Sequence, residues 1–145
     1  MMKLPSALAV VLAVLVAAAP TAGAAPEKND LLGTWRVTSI TQGGETVPEE
    51  FLKKLGVRMR FTENKLLLQA EGKEDETATY KIDAKKTPHE IDITDDKNRT
   101  EKGIYELKGD TLRICFADPG NSRPTRFTAE KGTKTTLIEL RRDKK

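Results

Sequence analysis

The sequence predicts an all-β fold, a small antiparallel barrel of about eight or nine short strands with one short helix after the first strand. Three observations carry this. From Gly56 to the C-terminus apolar residues alternate with polar ones, the period of a strand with one buried face. Glycine, proline, asparagine and aspartate recur at even intervals between these runs, as turns do in all-β proteins. The only tryptophan, Trp35, opens the first run two residues after Gly33, and glycine lets backbones approach closely where a strand begins. A barrel is favoured over an open sheet because closure removes exposed strand edges.

The N-terminus stands apart from this fold. Lys3 precedes an apolar run from Ala7 to Ala19, and Ala22-Gly23-Ala24 offers the small residues that a signal peptidase needs. That run is too short to cross a bilayer, which takes about 20 apolar residues. Residues 1–24 are therefore read as a signal peptide, and the mature chain is expected to start near Ala25, to be periplasmic or secreted, and to lack a membrane span. Removing 24 of the 145 residues leaves 121, enough for one domain over residues 31–142 behind a mobile arm of residues 25–30. Only about 30% of those residues are apolar, against about 45–50% (glycine included) in ordinary domains, so most of the apolar side chains are needed for the core. Without Lys3 the net charge falls from +3 to +2. The basic clusters Lys53-Lys54, Lys85-Lys86 and Arg141-Arg142-Asp143-Lys144-Lys145 are dispersed and lack stacking aromatics, so they read as solvated surface and not as a nucleic-acid footprint.

Asp30 is placed to cap a short turn before the first strand, which runs from about Thr34 to Thr41 with Trp35 and Val37 on one face. Gln42-Gly43-Gly44-Glu45 ends it. Thr46-Val47-Pro48-Glu49 has capping-box spacing with proline in the first turn, so a helix of about two turns follows, with Phe51, Leu52 and Leu55 on one face and Gly56 as its stop. So short a helix must pack on the outside or the mouth of the barrel. Val57, Met59 and Phe61 form the next strand, and Leu66 and Leu68 return after Glu63-Asn64. Gly72 to Glu76 is read as a charged loop. Ala78, Tyr80 and Ile82 alternate, and after Lys85-Lys86-Thr87-Pro88 so do Ile91 and Ile93. Asp95 to Lys102 is read as a polar loop. Tyr105 and Leu107 lead into the two-residue turn Gly109-Asp110, from which Leu112, Ile114 and Phe116 return. Asp118 to Pro124 is a rigid loop, Phe127 is placed in a short strand, and Ile138 with Leu140 form the last one.

Two blocks carry a resemblance. Pro88-His89-Glu90-Ile91-Asp92-Ile93-Thr94 and the long stretch from Gly103 to Phe127, together with Gly33-Thr34-Trp35 and Val47-Pro48-Glu49-Glu50, resemble the lipocalin-like domain family abundant in planctomycete bacteria, over nearly all of residues 31–142. The resemblance implies a calycin-type barrel in an exported bacterial protein and brings no ligand or reaction with it. A looser likeness to fatty-acid-binding proteins rests on Gly33-Thr34-Trp35 and on the helix Glu50 to Val57. Those proteins hold a carboxylate with internal arginines, whereas Arg58, Arg60 and Arg126 alternate with Met59, Phe61 and Phe127 and should point outward. In lipocalins an arginine near the end of the last strand covers the tryptophan plug, and Arg142 matches that place. The barrel plug is accordingly Gly33, Trp35 and Arg142, with a cation–π contact as the alternative to a solvated C-terminal arginine; the plainer alternative for Trp35 is the largest core side chain.

The candidate ligand-lining residues are Val37, Met59, Phe61, Leu68, Tyr80, Ile82, Tyr105, Ile114, Phe116 and Phe127. His89, the only histidine, shares parity with Ile91 and Ile93 and reads as a rim residue, since a catalyst or metal ligand needs partners. Cys115, the only cysteine, is a free thiol, either buried beneath the helix or exposed and able to link two chains. Asp92, Thr94, Asp96 and Asn98 have calcium-loop spacing without its glycine and closing glutamate, and Asn98-Arg99-Thr100 is a glycosylation sequon that marks an exposed loop. No metal, cofactor or catalytic set is expected. The chain reads as a monomeric binding module, not an enzyme, whose ligand is small, hydrophobic and neutral, because no buried charge is expected to meet an ionic head group. The alternative is a protein-interaction or protease-inhibitor-like barrel with a filled core, whose partner is an envelope protein.

Overall fold

The computed structural model describes residues 29–143. They form a nine-stranded antiparallel sheet in which β1 (Gly33–Gln42) also pairs with β9 (Thr135–Arg142), so that β1 and β3 to β9 close into an eight-stranded barrel. The remaining strands are β3 (Arg58–Phe61), β4 (Lys65–Gln69), β5 (Glu76–Asp83), β6 (His89–Thr94), β7 (Thr100–Lys108) and β8 (Thr111–Ala117), each paired with its neighbour in sequence. A short strand that polarity had hidden, β2 (Glu45–Val47), lies outside the ring on the far half of β1. Alternation after Gly56 thus becomes barrel wall: Met59, Phe61, Leu66, Tyr80, Ile91, Ile93, Tyr105, Leu112, Ile114, Ile138 and Leu140 all enter one buried core. Residues 1–28, which include the signal peptide and most of the proposed arm, lie outside the described residues. The last two residues of that arm are held in place. Asn29 accepts the Leu31 N–H at 2.9 Å, so Asn29 is the side chain that closes the turn assigned to Asp30, and its amide donates to the Tyr80 hydroxyl at 2.6 Å.

One irregularity changes which side chains face inward. Val37 pairs with Leu140 and Ser39 with Glu139, leaving Thr38 as a bulged residue whose hydroxyl donates to the Glu139 carbonyl. An extra residue reverses parity. Before the bulge Trp35 and Val37 point into the barrel, and after it Ile40 and Gln42 do, with Gln42 donating to the buried Thr136.

The helix α1 (Glu49–Leu55) is seated differently from expectation. Its N-cap is Pro48, with no side-chain cap, and Thr46 spends its hydroxyl on Thr41 across β1 and β2, so the capping box does not form. Gly56 closes the helix as expected. Leu52 alone is buried, while Phe51 is 55% and Leu55 38% exposed. Arg36 on the outer wall reaches Glu49 at 3.5 Å, and Lys53 joins the same carboxylate. Glu49 and Lys53 lie roughly 60–100° around the helix on one side of Leu52, and Phe51 and Leu55 a similar angle on the other. Pinning the first pair to the wall therefore turns the second away from it.

A second, smaller core lies outside the ring. Ile104, Cys115 and Ala117 point outward by parity yet are buried, together with Ala129, because residues 118–134 run back across the wall as a strap. Arg123 fastens it. The guanidinium donates to the Gly103 carbonyl at 2.8 Å, stands 2.8 Å from an Asp92 carboxylate oxygen and reaches the Glu90 carboxylate at 3.6 Å. The strap, and not α1, covers Cys115: its thiol donates to the Thr128 carbonyl at 3.3 Å, and burial pushes that thiol up from its ordinary range.

Candidate functional site

The two ends of the barrel differ. At one end converge the turns β3–β4, β5–β6 and β7–β8, the residues before β1 and those after β9. Trp35 is fully buried there, its indole N–H donating to the carbonyl of the equally buried Leu31 at 2.9 Å. Arg142, its register partner on β9, lays its guanidinium carbon 4.2 Å from the ring centre. Gly33 makes room for this. A β-carbon at Gly33, whose φ is 119°, would stand 3.3 Å from an Arg142 nitrogen and crowd the guanidinium, which here reaches across to the Leu32 carbonyl at 3.1 Å and the Asp30 carbonyl at 3.2 Å. Phe61 meets Tyr80 edge-on at 5.1 Å, and the Tyr80 hydroxyl donates to the Thr62 carbonyl, which fills the same end. Burial raises the Tyr80 phenol from its usual range, against the lowering effect of Asn29. Arg142→Ala is expected to lower stability by about 0.5–2 kcal/mol and to alter Trp35 emission. Unchanged melting and emission would show the contact to be idle.

The opposite end carries α1 and the β4–β5 and β6–β7 connections. Apolar side chains there face inward without being fully covered: Ile40 and Phe116 are half-buried and Leu68 is 37% exposed. Leu68 is therefore a rim residue and not part of the deep lining. Val37, Met59, Phe61, Tyr80, Tyr105 and Ile114 are buried in the core, and Ile82 is half-buried against it. Phe127 is misplaced by the strand expectation. It lies in the strap, outside the barrel, with the Arg113 guanidinium 4.5 Å above its ring, because the strap has no partner strand to impose alternation. His89 begins β6 at the closed end, its ring 5.2 Å from that of Tyr105 and its Nδ1 2.9 Å from the Lys86 carbonyl. Among the described residues no group of three or more histidine, cysteine, aspartate or glutamate side chains could hold a metal ion. An open hollow of about 390 Å³ is lined by Glu106, Lys108, Thr111 and Arg113. It lies on the outer wall, where Arg113 pairs with Glu106 and holds that carboxyl below its usual range, so it is no part of the barrel interior.

Two charges at the open end were hidden by polarity. β5 begins at Glu76 and β7 at Thr100, inside the stretches expected to be loops. Register pairs Glu76 with Leu68 and Glu101 with the buried Ile93, which puts both carboxylates at inward positions. Neither is buried: Glu76 is exposed and Glu101 half-buried. Counting back in twos from Tyr80 and from Tyr105 reaches these residues, so the signal was present in the alternation. Burial raises the Glu101 carboxyl, the Asp118 and Asp95 carboxylates raise it further, and Arg99 opposes them.

Among the described residues no helix is long and apolar enough to cross a membrane. Comparison with curated proteins and with solved structures returns no match. The family model of the lipocalin-like domain matches residues 31–138, most of the barrel from the turn before β1 into β9. A ring stoppered by Trp35 at one end and open beside a short helix at the other agrees with that match, and the chain belongs to the lipocalin-like domain family.

Proposed function

We propose that this protein is an exported, monomeric binding module, not an enzyme, that takes a small and largely apolar molecule into the open end of its barrel. The observation that carries the reading is the asymmetry of the lining. Trp35, Leu112, Ile114 and Leu140 are fully buried, so the stoppered half is packed, whereas Ile40, Phe116 and Leu68 keep apolar surface accessible beside α1. Partly exposed inward apolar groups under a short helix suit a shallow ligand seat. The reading of residues 1–24 as a signal peptide supports a periplasmic or secreted location.

Native mass spectrometry of the protein taken from its own envelope fraction tests this. A mature mass beginning at Ala25 with a noncovalently held small molecule is the expected result. A bare protein that also fails to bind any apolar dye would refute the ligand reading. The exposure of Phe51 and Leu55 favours one other outcome, an envelope protein docked on α1, and the same spectrum would reveal it as a heteromeric mass.

A further inference from the structure

We infer that the outer wall beside the β7–β8 turn is a docking surface for an acidic peptide segment, a run of aspartate and glutamate in another protein, received by Arg58, Arg36, Arg141 and Lys108. The inference concerns the outside of the barrel and does not depend on a ligand within it.

The surface is assembled by register from residues far apart in the chain. Arg58 on β3 stands opposite Arg36 on β1, Arg36 opposite Arg141 on β9, Arg141 opposite Thr111 on β8, and Thr111 opposite Lys108 on β7. All five face outward, because their chain neighbours Met59, Trp35, Leu140, Leu112 and Leu107 pack into the core. One row across five strands thus carries four cations and no acid. At about 4.8 Å between strands it is roughly 19 Å long.

Two features set this row apart from ordinary solvated surface. Like charges directly opposite each other destabilise a sheet, and here two such pairs follow in succession, Arg58 with Arg36 and Arg36 with Arg141. Placements that break a local rule are kept chiefly where function needs them. The chain offsets only part of the repulsion. Arg58 donates to the Asp143 carboxylate at 2.7 Å, but Arg36 Nη1, 3.5 Å from Glu49, is buried and makes no hydrogen bond. Arg141 is exposed, and no hydrogen bond or ion pair joins it to another described residue. The second feature is room. The hollow of about 390 Å³ opens at the Lys108 end of the row, where a carboxylate side chain can meet the Lys108 ammonium and the Thr111 hydroxyl. Lys108 is 77% exposed and reaches Glu106, which Arg113 already holds, only at 3.9 Å.

The chemistry of the row selects its occupant. Guanidinium forks match carboxylates and phosphates. No aromatic side chain stands in the row for a base to stack on, which argues against a single-stranded nucleic acid. No apolar side chain stands there to enter a bilayer, and a convex wall meets a flat membrane along few strands at once. A peptide can follow the curve and bring its carboxylates to the cations in turn. The next row toward the open end, Glu106, Arg113 and Glu139, alternates in sign, which confines the contact to the first.

A fluorescent peptide of about eight glutamates, long enough to cover the row at about 3.3 Å per residue, tests the inference by anisotropy with the full chain at low salt. It is expected to bind, to be released as salt is added, and to exceed a glutamine peptide of equal length. Arg141→Glu should weaken binding by about tenfold or more, since it sets a like charge against the peptide. Lys73→Glu, which changes the net charge equally at an exposed position on the β4–β5 connection, should leave it within about twofold. Because Arg141→Glu also removes a like-charge pair, it should melt no lower than the native chain. Lys108→Glu, at the other end of the row, repeats the comparison if that variant folds poorly. Absence of binding, equal losses in Arg141→Glu and Lys73→Glu, or an Arg141→Glu variant that binds normally overturns the inference. Displacement of the peptide by anionic phospholipid vesicles at equal charge would assign the row to a membrane and overturn it as well.

Discussion

Trp35→Ala should be the most damaging single substitution in the barrel, lowering stability by about 3–5 kcal/mol, as full truncation of a buried aromatic does. For a domain of this size that corresponds to a fall in melting temperature of roughly 10–25 °C. The cost has three sources on the same side chain: the apolar volume at the stoppered end, the indole N–H bond to the Leu31 carbonyl, and the ring beneath the Arg142 guanidinium. Trp35→Phe separates them, since it keeps most of the volume, loses the N–H bond and leaves a weaker π face. It should fall between the native chain and the alanine variant. Urea unfolding followed by far-ultraviolet circular dichroism makes the measurement independent of tryptophan emission. An alanine variant within about 1 kcal/mol of the native chain would show that the end is not closed by this residue.

Arg123→Ala should release the strap without unfolding the ring. The guanidinium donates to the Gly103 carbonyl and stands beside the Asp92 and Glu90 carboxylates, and its loss leaves that carbonyl without its donor and the two carboxylates without their counter-charge. Charged hydrogen bonds of this kind contribute about 1.5–3 kcal/mol, which favours the lifted strap by roughly 10–150-fold. Cys115 reports the change, because its thiol is buried under residues 118–134 and burial keeps it protonated. If reclosure outruns labelling, the alkylation rate should rise by that factor while far-ultraviolet dichroism stays native. An unchanged rate would mean that Ile104, Ala117 and Ala129 hold the strap unaided.

Strands with one face in the barrel were legible because alternation is a local signal. Met59 with Phe61, Tyr80 with Ile82, Ile91 with Ile93 and Leu112 with Ile114 all lie where a period of two puts them. Three kinds of feature were not. Thr38 adds a residue to β1, and no composition marks a bulge, so the inward turn of Ile40 and Gln42 could not be counted. Ile104 and Cys115 face outward and are nonetheless buried, because the strap that covers them has no periodicity of its own. Glu76 and Glu101 were assigned to loops on polarity, although each continues the parity of its strand. The candidate site suffered most from the last of these. Its apolar half could be read from residue types, and its charge only from where the ladders begin.

The stopper joins the beginning and the end of the folded unit. Asn29 and Leu31 close it from the front of the chain and Arg142 from the back, and the Asp143 N–H donates to the Thr34 carbonyl at 2.9 Å. A circular permutant joining these neighbours through a short linker and cut open at Gly109 would therefore keep every ladder but one uninterrupted. Both ends of the described residues, Asn29 and Asp143, thus lie at the sealed pole, away from the aperture beside α1.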